Sequence, residues 1–280
     1  MIRVACLQLA PVLGDVAGNV ERARAAIRAA VADGAHIVVL PELATSGYLF
    51  TDAAEARRAA LAPEDPLLAT WAAEAGRGDA VVVGGFCELG DDGLLYNSAV
   101  VMDGSGVRAV YRKTHLWDRE KLLFSPGTAR PPVVDAPYGR IGVLICYDLE
   151  FPEMPRALAL RGADLLAVPT NWPVVPRPDG EHPPEVVAAM AAARANRVFI
   201  ACCDRSGTER GERWTRGSAV VDTCGWVRAA CDEENGRATA DLDLNEARAK
   251  RLTALSHALA DRRPELYADL LSDAPPQPSP

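Results

Sequence analysis

Short apolar runs alternate with amphipathic stretches along the chain, and this alternation predicts a mixed α/β fold. Residues 2–9 and 36–40 are apolar runs of the length typical of strands. Between them, apolar residues recur at helical spacing, and these are Val20, Ala23, Ile27, Ala30 and Val31. We expect this helix to be capped at Gly18-Asn19 and to stop at Asp33-Gly34.

The same alternation continues beyond the first strands. Further predicted elements are hairpins at 98–112 and 218–229, helices at 155–161 and 184–197, strands at 164–168 and 198–203, and helices over much of 245–271. Two packed sheets covered by helices would accommodate helical units with inserted antiparallel hairpins.

Composition does not change sharply before the end of the chain. We therefore expect a single domain over residues 1–271, followed by a proline-rich disordered tail at 272–280.

Charge and composition exclude several classes of protein. The 280 residues carry a net charge of −8, which argues against a nucleic-acid-binding face. No apolar run reaches the length of about 18 residues that a membrane span needs, so no membrane partner is expected. The seven cysteines are scattered and lie mostly in apolar runs, which is typical of a reducing compartment. We expect a cytoplasmic protein.

Three reactive side chains follow predicted strands: Glu42, Lys113 and Cys146. The carboxyl ends of strands in α/β sheets are where ligands bind. Each residue also has a simpler interpretation: a solvated carboxylate, a surface charge and a small buried side chain, respectively. Lysine is rare in this arginine-rich chain, with Lys121 and Lys250 as the only others, which favours a specific role for Lys113.

Three sequence blocks containing these residues resemble the signature blocks of the nitrilase superfamily of carbon–nitrogen hydrolases. In chain order they are Pro41-Glu42-Leu43-Ala44-Thr45-Ser46-Gly47-Tyr48, Tyr111-Arg112-Lys113-Thr114-His115-Leu116 and Ile145-Cys146-Tyr147-Asp148-Leu149-Glu150-Phe151-Pro152-Glu153. Their order and spacing also match, and the resemblance covers about residues 1–270. It implies a four-layer α-β-β-α sandwich and an enzyme that cleaves non-peptide C–N bonds.

The resemblance implies that Cys146 is the nucleophile of a thioester mechanism. A free thiol has a pKa of about 8.5, so attack needs a base, and the carboxylate of Glu42 suits that role. Lys113 and the backbone N–H of Tyr147 would hold the oxyanion. The family's second acidic residue best matches Glu120, with Asp118 as the alternative. No metal or organic cofactor enters this scheme.

Other catalytic frameworks are weakly supported. The chain has no Gly-x-Ser-x-Gly motif and no Cys-x-x-Cys pair, and its four histidines lack metal-ligand spacing. Composition alone leaves a Cys–His–Asn protease open. A catalytically silent binding relative and an interaction protein on the same fold also remain as alternatives, although the intact set of Glu42, Lys113 and Cys146 argues against the silent relative.

The residues after the nucleophile indicate the substrate class. Tyr147 and Asp148 look like the amidase branch, since nitrilases usually have tryptophan and glutamate there. Leu149 and Glu150 replace the arginine with which carbamoylases hold a carboxylate. We therefore expect small aliphatic amides, with nitriles and N-carbamoyl amides as alternatives.

Four residues are candidates for substrate binding, and each has a structural alternative. Glu150 could hold a distal ammonium, as in relatives that act on ω-amino amides, or it could simply favour a helix start. Tyr48, Trp117 and Trp172 are candidate pocket walls, and both tryptophans could equally pack between loops. The family assembles through helical faces, so we expect a homodimer or larger homo-oligomer, with residues 263–267 near an interface.

Overall fold

The computed structural model describes residues 1–231, 233 and 236–267. The proline-rich tail expected at 272–280 lies outside the described residues. A single domain over 1–271 stays a prediction. Among the described residues, none of the helices combines the length and apolar character that a membrane-spanning helix needs.

The described residues contain fourteen strands. They are β1 Ile2–Leu7, β2 Ile37–Val39, β3 Val81–Leu89, β4 Leu95–Asp103, β5 Gly106–Arg112, β6 Val133–Ala136, β7 Gly139–Val143, β8 Leu165–Pro169, β9 Phe199–Cys203, β10 Thr208–Glu209, β11 Glu212–Arg213, β12 Ser218–Val221, β13 Val227–Cys231 and β14 Arg237–Leu242. Two sheets have six strands each, in the orders β14-β1-β2-β3-β4-β5 and β13-β12-β9-β8-β7-β6, and β10 pairs only with β11.

Each large sheet is parallel at its centre and antiparallel at its edges. In the first sheet β1, β2 and β3 are parallel, while β14, β4 and β5 pair antiparallel to their neighbours. In the second sheet β7, β8 and β9 are parallel. The parallel strands are nearly continuous apolar runs because both of their faces are covered.

Four helices cover the outer faces of the two sheets, and they are α1 Val16–Ala32, α3 Pro66–Ala75, α4 Glu153–Leu160 and α5 Pro184–Asn196. The short helix α2 Ala53–Arg58 instead packs in a separate cluster with Leu43 and Cys87. In β2, Val38 packs into the layer of α1 and α3, whereas Ile37 and Val39 belong to the core that contains the second sheet. On the other side, α5 packs on β9 and β12 and against α4. The expected α-β-β-α sandwich is confirmed.

The start of α1 corrects one expectation. The helix begins at Val16, and its cap is Asp15, whose Oδ1 accepts the backbone N–H of Gly18 at 3.1 Å. Asn19 is instead buried in the first turn, where its Nδ2 donates to the carbonyls of Val12 and Thr45. The Gly-Asn pair looks like a cap in sequence, but Asn19 is needed to hold two loops.

The expectation of helices over much of 245–271 is also wrong for the described residues. Only two short 3-10 helices form there, Leu244–Arg248 and Pro264–Leu266, and the chain between them is irregular. The apolar side chains of this segment find no core to pack against: Leu252 is exposed and Leu255 is 93% exposed. Helical periodicity gives little stability when the apolar face is not buried.

Candidate active site

The loops after three strands bring Glu42, Lys113 and Cys146 together between the two sheets. Glu42 lies in the loop after β2, Lys113 directly follows β5, and Cys146 begins a 3-10 helix, Cys146–Glu150, after β7. Glu42 and Lys113 are fully buried, and Cys146 is 8% exposed. The charges of Glu42 and Lys113 act on the Cys146 thiol, so the three groups form one electrostatic cluster.

The ammonium of Lys113 lies between two carboxylates. Its Nζ donates to Oε1 of Glu42 at 2.7 Å and to Oε1 of Glu120 at 2.8 Å. The structure thus brings Glu120 to the ammonium, whereas Asp118 lies at the wall of the neighbouring cavity. Burial lowers the pKa of Lys113, but the two carboxylates outweigh it and hold that pKa well above its ordinary value. Lys113 is therefore a fixed positive charge.

The two oxygens of Glu42 have different environments. Oε1 accepts from Lys113 and from Nδ2 of Asn97, the latter at 2.7 Å. Oε2 is buried and has no hydrogen-bond partner within residues 1–231, 233 and 236–267. Burial raises the pKa of Glu42 to about 7; Lys113 opposes this rise and Glu120 adds to it. One oxygen anchors the carboxylate, and the other is available to accept a proton.

The nucleophile candidate lies on a strained backbone. Cys146 has a φ of 47°, a conformation that is uncommon for a residue with a side chain. Leu43 (φ 47°), next to Glu42, and Asp118 (φ 42°) share it. Such strain clusters at functional sites, where surrounding contacts hold it.

Burial and the Glu42 charge raise the pKa of the Cys146 thiol well above its ordinary value, against Lys113 and the backbone N–H of Asn171. The resting thiol is protonated.

Asp148 ties the nucleophile turn to the lysine segment. This fully buried carboxylate accepts the backbone N–H of Ile145 at 3.1 Å and that of His115 at 3.0 Å. It also accepts the phenol of Tyr111 at 2.8 Å. Because Tyr111 and His115 flank Lys113 in sequence, one side chain fixes both catalytic segments relative to each other.

Two glycines permit close packing behind the site. A Cβ on Gly85 in β3 would lie 2.5 Å from the backbone nitrogen of Leu43 and 2.6 Å from the Cα of Glu42. A Cβ on Gly127 would lie 2.2 Å from the carbonyl oxygen of Arg112. Both contacts are with backbone atoms, which cannot swing aside as a flexible side chain would. Gly85 and Gly127 therefore set the positions of Glu42 and Lys113.

A cavity of about 600 Å³ opens beside Glu120 and Asn171, and Tyr48 and Trp117 line it. The phenol of Tyr48 donates to Oε1 of Glu120 at 2.7 Å, and the backbone N–H of Trp117 donates to Oε2 at 2.9 Å. Both residues therefore position Glu120 as well as forming walls.

The other two binding candidates, Trp172 and Glu150, are not part of this cavity lining. Trp172 is 2% exposed, belongs to the core that contains the second sheet, and is absent from the described cavity lining. Glu150 lines a separate groove between α4 and α5. Burial and the neighbouring Glu185 raise the pKa of Glu150. Contacts of Trp172 and Glu150 with the substrate therefore stay predictions, since neither residue lines the cavity beside Glu120.

Sequence reasoning missed several residues of the site. Asn97 contacts the carboxylates of Glu42 and Glu120 from β4, and its only signal was a polar residue within a buried strand. Asn171 and Trp214 line the cavity, and Trp214 comes from a loop far along the chain with no motif around it. No group of three or more metal-ligating side chains occurs in the part of the chain that the structure describes.

Comparisons with known proteins agree with this geometry. Residues 3–252 match the model of the carbon–nitrogen hydrolase family. The chain is 36% identical to a nitrilase of Pyrococcus abyssi (95% of this chain, 99% of the relative) and 35% identical to an (R)-stereoselective amidase of a Pseudomonas species (89% and 88%).

A solved structure shares the fold. An amidase from a Nesterenkonia species superposes with a TM-score of 0.80 at 28% identity, covering 96% of each chain. A structure of a variant of that amidase (28% identity, TM-score 0.77, covering 96% of this chain and 100% of that one) shows Michael addition of acrylamide at its active-site cysteine.

The facing sheets, their helical layers and the buried cysteine–carboxylate–ammonium cluster together define an α-β-β-α protein with the groups of a thiol hydrolase. The chain belongs to the carbon–nitrogen hydrolase family and is an enzyme of the nitrilase superfamily, which includes amidases. The resemblance seen in the three sequence blocks is confirmed.

Proposed function

We propose that this enzyme hydrolyses small aliphatic amides to a carboxylic acid and ammonia through a thioester on Cys146. Glu42 takes the thiol proton as sulfur attacks the amide carbon, then gives that proton to the departing amine. Water, deprotonated by Glu42, next attacks the thioester carbon. The C–S bond breaks, the acid is released, and Glu42 returns the proton to the Cys146 sulfur. Glu120 also accepts a hydrogen bond from Lys113 and holds the ammonium in place.

The observation that carries this proposal is that only one of the two oxygens of Glu42 is hydrogen-bonded in the described residues. A carboxylate with both oxygens bound to cations or amides would be a structural ion pair. Here Lys113 and Asn97 occupy only Oε1, while Oε2 is buried beside the thiol cluster without a partner in the described residues. This is the arrangement that a proton-accepting carboxylate needs.

The oxyanion that forms on attack would be held by two donors. Lys113 provides a fixed charge, and the Tyr147 backbone N–H lies in the first turn of a 3-10 helix, where N–H groups lack carbonyl partners within the helix. Losing one such donor typically costs about 2.7–4 kcal/mol of transition-state stabilisation.

Amides are preferred over nitriles in this proposal, because the residues after Cys146 are Tyr147 and Asp148 and because one relative is named an amidase. Nitrile hydrolysis is the second candidate, since another relative is named a nitrilase. A nitrile would use the same thiol and form a thioimidate. Butanamide, butyronitrile and an N-carbamoyl amino acid, compared by ammonia release, distinguish the candidates. A nitrile turned over as well as its amide would overturn the amide preference.

The nucleophile is tested by Cys146→Ala, for which we expect ammonia release to disappear. Cys224→Ala is the matched control, because Cys224 is exposed and lies in the turn before β13. In Glu42→Gln the acyl-enzyme should form very slowly, which mass spectrometry would detect as a delayed mass increase. Activity of Cys146→Ala within tenfold of the unsubstituted enzyme would contradict the thioester mechanism.

We also propose that the single domain assembles as a homodimer and acts in the cytoplasm. Alanine and proline make up half of the residues that line the groove between α4, α5 and residues 262–267, and Tyr267 also lines it. Leu266 is exposed at the same edge. A second copy of this chain would cover these apolar groups. A reducing compartment keeps Cys146 in its thiol form.

A further inference from the structure

Two side chains of the cavity wall carry buried polar atoms that the catalytic cluster does not use. Asn171 is 2% exposed, and neither Oδ1 nor Nδ2 of its amide has a hydrogen-bond partner in residues 1–231, 233 and 236–267. The same holds for Nε1 of Trp214, a side chain that is 6% exposed. A buried unsatisfied polar atom costs about 1–3 kcal/mol. Two of these atoms are donors, Nδ2 of Asn171 and Nε1 of Trp214, and their place on one cavity wall indicates that an acceptor on a ligand satisfies them.

The two residues are neighbours in space. Pro173 and Trp214 form an antiparallel bridge, and the backbone N–H of Thr215 donates to the carbonyl of Trp172 at 3.0 Å. Asn171, Pro173 and Trp214 all line the cavity. Cross-strand and diagonal neighbours have side chains roughly 4.5–8 Å apart, which leaves room for one small polar group to contact both.

The indole of Trp214 is held in place by its surroundings. Cζ of Arg205 lies 4.8 Å from the indole centroid, and Tyr48 packs edge-on against the indole at a centroid distance of 5.6 Å. Arg205 is buried and donates to Glu209 at 3.0 Å. The indole N–H is therefore a fixed donor, and a fixed donor binds an acceptor without the entropy cost of ordering a mobile side chain.

The chemistry of these groups defines what they can bind. An indole N–H donates only, so it favours an acceptor and disfavours an ammonium. The amide of Asn171 can present its own N–H to the same acceptor. Charges on the cavity wall balance, with Asp118 and Glu212 against Arg119 and Arg213, while the Glu120 carboxylate is already bound to Lys113. Neither a cation nor an anion is favoured.

We propose that Trp214 and Asn171 form a subsite for a neutral hydrogen-bond acceptor on the acyl part of the substrate, namely a hydroxyl, ether or carbonyl oxygen. This inference rests on the proposed amidase function and narrows its substrate class. The backbone N–H of Glu42 donates to the carbonyl of Thr170 at 3.2 Å, next to Asn171, and Glu120 lines the same cavity, so the subsite lies close to the catalytic cluster. The oxygen would be only a few bonds from the scissile carbonyl.

A matched substrate pair tests the subsite. 3-Methoxypropanamide and pentanamide have the same chain length and differ by an ether oxygen in place of a methylene. We expect kcat/KM to favour the ether by about tenfold or more, which corresponds to about 1.4 kcal/mol. Trp214→Phe and Asn171→Leu should each lower this preference about tenfold. Trp226→Phe is the control, because Trp226 is exposed and outside the cavity lining, and the preference should persist there.

The possible outcomes separate the subsite from the activity. Equal turnover of the ether and of pentanamide by the unsubstituted enzyme would overturn the subsite and leave the amidase function standing. A preference that survives both Trp214→Phe and Asn171→Leu would also overturn it. Absence of hydrolysis of any amide would refute the proposed function and the subsite together. If Trp214→Phe does not fold, calorimetric binding of the two amides to Cys146→Ala decides, with tighter binding of the ether expected and equal binding overturning the proposal.

Discussion

Replacing Lys113 with methionine removes the only positive charge that contacts Glu42 and Glu120 in the described structure while keeping a side chain of similar length. The ammonium lies 2.7 Å from one carboxylate and 2.8 Å from the other, and all three groups are buried. Lys113→Met therefore leaves two carboxylates in one buried space, and both the oxyanion site and the base should suffer.

The loss of activity follows from two separate effects. Removing an oxyanion donor costs about 2.7–4 kcal/mol, which is roughly 100- to 1,000-fold in kcat. Lys113 also lowers the pKa of Glu42 against burial, so without it that pKa rises further above about 7. Each additional pKa unit reduces the deprotonated fraction of the base about tenfold at neutral pH. We expect a total loss of at least 1,000-fold near pH 7.

Stability should fall as well, with a definite pH dependence. Removing one partner of a buried ion pair typically costs about 3–5 kcal/mol, because the remaining charge is left uncompensated. Protonation relieves the charge left on Glu42, whose native pKa is already raised to about 7 by burial. The native form then binds this proton more tightly than the unfolded chain does, so stability falls as the pH rises through the raised pKa. Lys113→Met should unfold at lower temperature at pH 8 than at pH 5.

Ammonia release and thermal unfolding at pH 5 and pH 8 measure both effects. Lys121→Met is the matched control, because Lys121 is exposed and lies in the same segment of the chain. We expect this control to behave like the unsubstituted enzyme. Activity of Lys113→Met within tenfold of the unsubstituted enzyme, or a stability loss that does not grow with pH, would refute the reasoning.

Three further results are expected. The kcat/KM profile should rise with pH through about 7, since Glu42 must lose its proton to act as the base; a midpoint below about pH 5.5 would contradict this assignment. Gly85→Ala should lower both kcat and the melting temperature, because the new methyl group would push against the backbone that carries Glu42; unchanged values of both would argue against tight packing there. Sedimentation should give twice the chain mass of 29.8 kDa, and Leu266→Glu should shift it toward one chain; a single-chain species for the unsubstituted protein at micromolar concentration would exclude the dimer.

Local sequence signals account for the parts of the fold that could be predicted. Strand β2 is a short run of buried β-branched residues, and the polar residue that follows it, Glu42, lies at a strand end as expected. The hairpin formed by β4 and β5 could be located because glycine and aspartate mark its turn. These signals work because they depend on neighbours along the chain.

The missed features depend on contacts between distant segments. Asn97 is a polar residue whose partners, Glu42 and Glu120, come from distant segments, so nothing next to it in sequence indicates its role. Asn19 has the residue type of a cap but bonds two loops that only the fold brings near. The segment between the two C-terminal 3-10 helices has helical periodicity without a surface to cover. Tertiary contacts decide each of these cases.

The charge balance of the cluster explains why the chemistry can proceed in a buried site. In the state that reacts, the Glu42 carboxylate is negative, the Lys113 ammonium is positive and the Cys146 thiol is neutral. When Glu42 takes the thiol proton and the oxyanion forms, the negative charge moves from the carboxylate to the substrate oxygen, and the net charge is unchanged. Burial makes any change of net charge costly. The proposal places the Lys113 ammonium beside both the Glu42 carboxylate and the substrate oxyanion. The charge can then move between them without water having to reorganise around the new charge.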